Sequence, residues 1–139
     1  MSSNTALLPL NLPVKVAMRH PAVTVSLSDT VSSLMFRMIN ENIGAVIVVD
    51  AGQTVGIVTE KDVLERVIVR GKDVYTTRAK DTMSSPLVSI NADHSIREAL
   101  ELMSKNKIRR LAVTENGSLV GLVTEKRLLE AIVKWGYSM

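Results

Sequence analysis

Val55-Gly56-Ile57-Val58-Thr59-Glu60-Lys61 returns 65 residues later as Val120-Gly121-Leu122-Val123-Thr124-Glu125-Lys126, with one conservative change. The same shift pairs Met18 with Met83, Pro21 with Pro86, Met38 with Met103, Ile43 with Ile108 and Gly52 with Gly117. Residues 14–69 lie over residues 79–134 without a gap. A run of near-identity joined by scattered matches in one register marks a duplicated unit. The chain is therefore read as two copies of one small unit: an arm (1–13), a first domain (14–69), a linker (70–78), a second domain (79–134) and a tail (135–139).

Each copy has the same pattern. In the first, Val23 to Ser26 suits a short strand, and Ser28-Asp29 supplies an N-cap. Val31, Leu34, Met35, Met38 and Ile39 follow at the spacing of one helical face. Ala45 to Asp50 is an apolar strand, Ala51-Gly52 a turn, and Thr54 to Val58 the returning strand. Thr59 opens a helix whose apolar residues are Val63, Leu64, Val67 and Ile68, and Gly71 should stop it. The second copy predicts a strand over 87–90, a helix over 95–106, a hairpin over 110–123 turning at Asn116-Gly117, and a helix over 125–134. The expected class is α+β, two tandem β-α-β-β-α units packed as a pseudo-twofold pair, since one such unit buries too little surface alone.

Composition narrows the chemistry. The 139 residues are 46% hydrophobic and 22% charged, as in an ordinary globular domain. No apolar run approaches the roughly 18 residues that span a bilayer, and the N-terminus lacks the basic flank of an export signal, so a cytoplasmic protein is expected. Cysteine is absent, which removes disulfides, thiol nucleophiles and thiolate metal sites. His20 and His94 are the two histidines and are not equivalent in the repeat. The net charge of +3 is mild, and no aromatic residue sits in a basic cluster, so nucleic acid is not an expected partner. There is no phosphate-binding loop with lysine, no His-Glu-x-x-His and no serine elbow; no enzyme is expected, and no catalytic or metal-ligating residues are assigned. Trp135 and Tyr137 put two large rings on a short tail, to pack on the neighbouring helix or on another chain.

The junction from strand to helix carries the one chemical suggestion. A helix N-terminus offers unpaired N–H groups and attracts phosphate. Thr59 can give its hydroxyl to a phosphate or ribose oxygen, and the two oxygens of Asp62 can accept from both hydroxyls of a ribose diol. The same Thr-x-x-Asp is equally a capping box. In the second copy Arg127 replaces the acid, and a guanidinium has no acceptor for a diol. Its other reading is a solvated surface charge. The two junctions should differ, one competent and one degraded. Lys107-Ile108-Arg109-Arg110 is the densest basic cluster, and its first-copy counterpart Asn42-Ile43-Gly44-Ala45 is uncharged.

The duplicated β-α-β-β-α pattern, Gly56-Ile57-Val58-Thr59-Glu60-Lys61-Asp62 at the junction, and the lead-ins Met18-Arg19-His20-Pro21 and Met83-Ser84-Ser85-Pro86 together resemble the cystathionine-β-synthase (CBS) domain. Two in tandem resemble a Bateman module, over residues 14–134. The resemblance implies a regulatory sensor that needs no cofactor and binds AMP, ADP, ATP or S-adenosylmethionine between the domains. It implies that Thr59 and Asp62 are joined by Leu87, Val88 and Ser89 on adenine and by Arg109 or Arg110 on phosphate. A second site would be lined by Ala22, Val23, Gly44, Ala45 and Thr124, and members with arginine in place of the acid imply that it is empty. A homodimer and a client protein, not identifiable from sequence, are the further partners implied. The alternative is a structural or dimerisation module that has lost its ligand.

Overall fold

A computed structural model of the chain describes residues 9–136. The chain forms two compact units, one of residues 23–87 and one that joins the segment ending at residue 22 to the segment beginning at residue 88. In the first unit β1 (Thr24–Ser26) leads through α1 (Val31–Glu41) to β2 (Ala45–Asp50), β3 (Gln53–Thr59) and α2 (Glu60–Val63), which continues as a π-helical stretch, Leu64–Ile68. The second unit repeats the order with β4 (Ser89–Asn91), α3 (Ile96–Asn106), β5 (Arg110–Glu115), β6 (Ser118–Thr124) and α4 (Glu125–Gly136). The class is α+β, as the periodicities predict.

Each sheet has three strands in sequence order, the first pair parallel and the second antiparallel. A parallel pair needs a crossover, and α1 and α3 supply it. The antiparallel pairs close through two-residue turns at Ala51-Gly52 and Asn116-Gly117, all four residues at positive φ. That is the type I′ hairpin, whose twist matches the strands and whose second position suits glycine. The register slips once in each hairpin, at Val48/Val49 and at Val113/Thr114. The repeat therefore extends to an irregularity that sequence identity does not reveal.

Burial follows the helical pattern only in part. Val31, Leu34 and Met38 of α1 are buried with Val46, Val48, Val58, Val63 and Val67, whereas Ile39 is 74% exposed. Leu64 and Ile68, expected on the apolar face, are also exposed. Their difference from a regular helix is visible in the backbone: Val69 N–H donates to Leu64 O and Lys72 N–H to Val67 O, both five residues back. Val63, Val67, Ile68 and Val69 crowd this stretch with β-branched side chains, which an α-turn accommodates poorly. In the second unit Ile96, Ala99, Met103, Leu111, Val123, Leu128 and Ala131 form the core.

One capping expectation is corrected. The N-cap of α1 is Thr30, whose hydroxyl accepts from Ser33 N–H; Asp29 instead accepts from Ser26 N–H in the preceding turn. The part of the arm that is described is tied down: Leu10 and Leu12 pack on the core, and Ile96 N–H donates to Leu12 O. Of the tail aromatics, Trp135 lies on α4, half exposed, beneath Lys134 Nζ at 6.0 Å, and Tyr137 lies outside the described residues.

The compact units are not the sequence repeats. Residues 14–22 pack with the second copy and residues 79–87 with the first. Arg19 bridges Leu122 by two backbone hydrogen bonds, and Ser84 bridges Ile57 in the same way. The linker also belongs to the first unit, where Val31 and Ser32 N–H donate to Thr77 O and Val74 O.

Candidate functional site

The β3–α2 junction is built by its own side chains. Thr59 Oγ1 accepts from Asp62 N–H at 3.2 Å, and Asp62 Oδ2 accepts from Thr59 N–H at 2.9 Å, a complete capping box. Ser84 Oγ donates to Asp62 Oδ1 at 3.3 Å, and Arg66 Nε lies 3.9 Å from the same oxygen. The carboxylate side chain is 13% exposed. Its two oxygens offer about four lone-pair positions, so these contacts orient the group without exhausting it. Gly56, three residues before Thr59, lets the lead-in backbone come close: a Cβ there would stand 2.8 Å from Ser84 O.

Ser84 and Arg66 were not among the residues expected at this site. Arg66 stands four residues after Asp62, a spacing that brings opposite charges together on a helix, and so was legible. The Ser84 contact spans 22 residues and has no local signature.

The remaining expected residues divide between the units. Leu87, half-buried, lies in the unit of Thr59 and Asp62, whereas Val88, Ser89, Arg109 and Arg110 lie in the other. Val88 O accepts from Ala112 N–H, leaving its partly buried side chain on the lead into β4. Arg109 is exposed and its carbonyl accepts from Glu125 N–H at 2.9 Å. Arg110 opens β5 opposite Thr124. Among the described residues, Arg110 Nε is a buried side-chain nitrogen with no hydrogen-bond partner.

The residues read as a second site divide likewise. Val23, Gly44 and Ala45 belong to the first unit, with Ala45 opposite Thr59 and Gly44 O accepting from Glu60 N–H. Ala22 and Thr124 belong to the second. Thr124 Oγ1 accepts from Arg127 N–H at 3.1 Å, so half of the cap survives without the acid. Arg127 is more than a solvated charge: its Nε donates to Ala17 O at 2.9 Å.

Comparison with known proteins decides the family. The CBS domain family matches residues 14–69 and again residues 79–134. The chain belongs to the CBS-domain family. A CBS domain-containing protein of Bacillus subtilis is 36% identical over 110 residues, covering 79% of this chain and 78% of its own length. An uncharacterized protein of Methanopyrus kandleri is 33% identical over 114 residues, or 81% of this chain; the chain spans 58% of that relative's length. A crystal structure of an uncharacterized conserved protein from Pyrococcus horikoshii superposes with a TM-score of 0.77 at 31% identity, over 88% of this chain and 92% of that one. The CBS pair is a regulatory module of a kind that commonly binds adenosine ligands, and the matches indicate no catalytic family. Among the described residues, no helix is long and apolar enough to cross a membrane.

Proposed function

We propose that this CBS pair is a regulatory sensor whose ligand is an adenosine compound, AMP, ADP, ATP or S-adenosylmethionine. Asp62 holds the ribose diol, Thr59 and the α2 backbone take a ribose or phosphate oxygen, and Leu87 and Val88 pack on adenine beside Ser89. Arg109 and Arg110 neutralise phosphate. The observation that carries this reading is Arg110, whose Nε has no hydrogen-bond partner and whose guanidinium forms no ion pair among the described residues, so its charge is not spent on a protein carboxylate and suits a phosphate. Arg127, committed to a backbone carbonyl, supports an empty second site. Ligand binding would act on a client protein or on a homodimer. Phe36 and Ile39 on α1, and Leu129, Val133 and Trp135 on α4, are exposed apolar side chains that suit such self-association.

One observation favours the alternative of a ligand-free structural module: the capping box and Ser84 already account for both oxygens of Asp62. A thermal-shift panel of AMP, ADP, ATP and S-adenosylmethionine separates the two. At about a hundred times its dissociation constant, a ligand stabilises by roughly 2.7 kcal/mol. A shift for one compound, lost in Asp62→Ala and weakened in Arg110→Met, is the expected result. A melting temperature indifferent to all four would establish the structural reading instead.

A further inference from the structure

The two units hold their lead-in segments by an arginine, but from different turns of the last helix. In the first unit Arg66 Nη1 donates to Thr82 O and to Met83 O, each at 2.9 Å. In the second, Arg127 Nε donates to Ala17 O at 2.9 Å. Ala17 is the repeat equivalent of Thr82, yet Arg127 is the equivalent of Asp62. The equivalent of Arg66 is Ala131, whose side chain cannot donate. Ala131 instead lines a cavity of about 240 Å³ with Ala17, Arg127 and Lys134. The guanidinium has moved one turn back along the helix and left room where its counterpart would lie.

We propose that Arg127 is this transposed clamp, and that its transposition is what removed the acidic acceptor from the second junction. A clamp at position 131 would release position 127 for a carboxylate. Thr124 already caps Arg127 N–H as Thr59 caps Asp62 N–H, so an acid at 127 would complete the box. The double exchange Arg127→Asp with Ala131→Arg should therefore rebuild in the second unit what Asp62 and Arg66 form in the first. That it should bind a ribose diol rests on the adenosine reading above; the clamp itself does not.

The test is a four-member cycle of the full chain: wild type, Arg127→Asp, Ala131→Arg and the double variant. Arg127→Asp should lower the melting temperature by about 3–8 °C, as expected for losing a hydrogen bond from a charged donor. It should also speed amide exchange selectively in residues 14–22. The double variant should recover at least half of both losses. Should Arg127→Asp fail to fold, Arg127→Met, which keeps the bulk and removes the donor, is read against Arg127→Met with Ala131→Arg. No loss on removing Arg127 overturns the clamp, and no recovery from arginine at 131 overturns its transposition. With AMP as the calorimetric probe, wild type should bind one equivalent and the double variant two. One equivalent in both, with the clamp recovered, refutes the link between transposition and the missing site. No AMP bound by wild type would sink the adenosine reading, and the stability cycle would still decide the clamp.

Discussion

Gly56→Ala tests whether the lead-in backbone really seats on the β3 strand. A Cβ at position 56 would lie 2.7 Å from Met83 Sδ and 2.8 Å from Ser84 O. The thioether can swing aside, but the carbonyl cannot: it belongs to the bridge in which Ser84 N–H donates to Ile57 O at 2.8 Å and Ile57 N–H donates to Ser84 O at 3.0 Å. Ordinary contact begins near 3.4 Å, so the segment must retreat by about 0.6 Å, which stretches both bonds to the edge of useful geometry. Weakening two hydrogen bonds costs about 1–2 kcal/mol, and overpacking adds about 1–3. The lower entropy of the unfolded alanine chain returns less than about 1 kcal/mol. The net is a destabilisation of about 2–4 kcal/mol, or a fall in melting temperature of roughly 6–15 °C for a protein of this size. Gly121→Ala should behave alike, since its Cβ would meet Arg19 O and Met18 Sδ, both at 2.7 Å. Urea titration of both variants gives the free energies. Unchanged or raised stability in either would refute the seating of that lead-in. Gly52→Ala is the contrasting control, with no atom within 4 Å and a φ of +79°; its cost is only the backbone strain of about 1 kcal/mol.

Other outcomes follow from single contacts. The carboxyl of Glu98 is held below its ordinary range chiefly by the hydrogen bond from Ser95 N–H, then by the Ser95 hydroxyl. A depressed folded-state pKa gives stability that is present above the ordinary value of 4.5 and lost as pH falls through the lower folded value. Melting temperatures followed downward from pH 6 should converge for wild type and Glu98→Gln at the acid end, and parallel curves would contradict the capping box. Thr30→Ala removes the hydroxyl that caps α1 and should cost about 1 kcal/mol in chemical denaturation, while Ser28→Ala should be nearly neutral; equal effects would restore Ser28 to the cap. Ser84→Ala deletes the donor to Asp62 Oδ1 and should cost about 0.5–1.5 kcal/mol. Loss beyond about 3 kcal/mol would mean that Ser84 does more than orient the carboxylate.

Much of this protein is legible locally. The repeat, the order of elements, the positions of both hairpin turns and the Ser95 boundary of α3 depend on neighbours within a few residues, where glycine, side-chain caps and apolar period act directly. The exposed face of α1 was legible less well. Ile39 has the spacing of a buried residue, but whether a side chain at the margin of an apolar stripe is covered depends on what packs there. Leu64 and Ile68 differ for a related reason, because the π stretch rotates them off the face that a regular helix would present.

At the junction, residue type at a spacing of three was enough to offer the Thr59–Asp62 box as one of two readings and to exclude the same box at Arg127. Tertiary structure alone decided what those residues answer to. Ser84 reaches Asp62 across 22 residues and Ala17 meets Arg127 across 110. Each lead-in crosses to the unit of the other repeat, and such a partner leaves no period or motif in the chain. It is set by which backbone carbonyls remain unpaired once the sheets have formed, and by glycines small enough to let them approach.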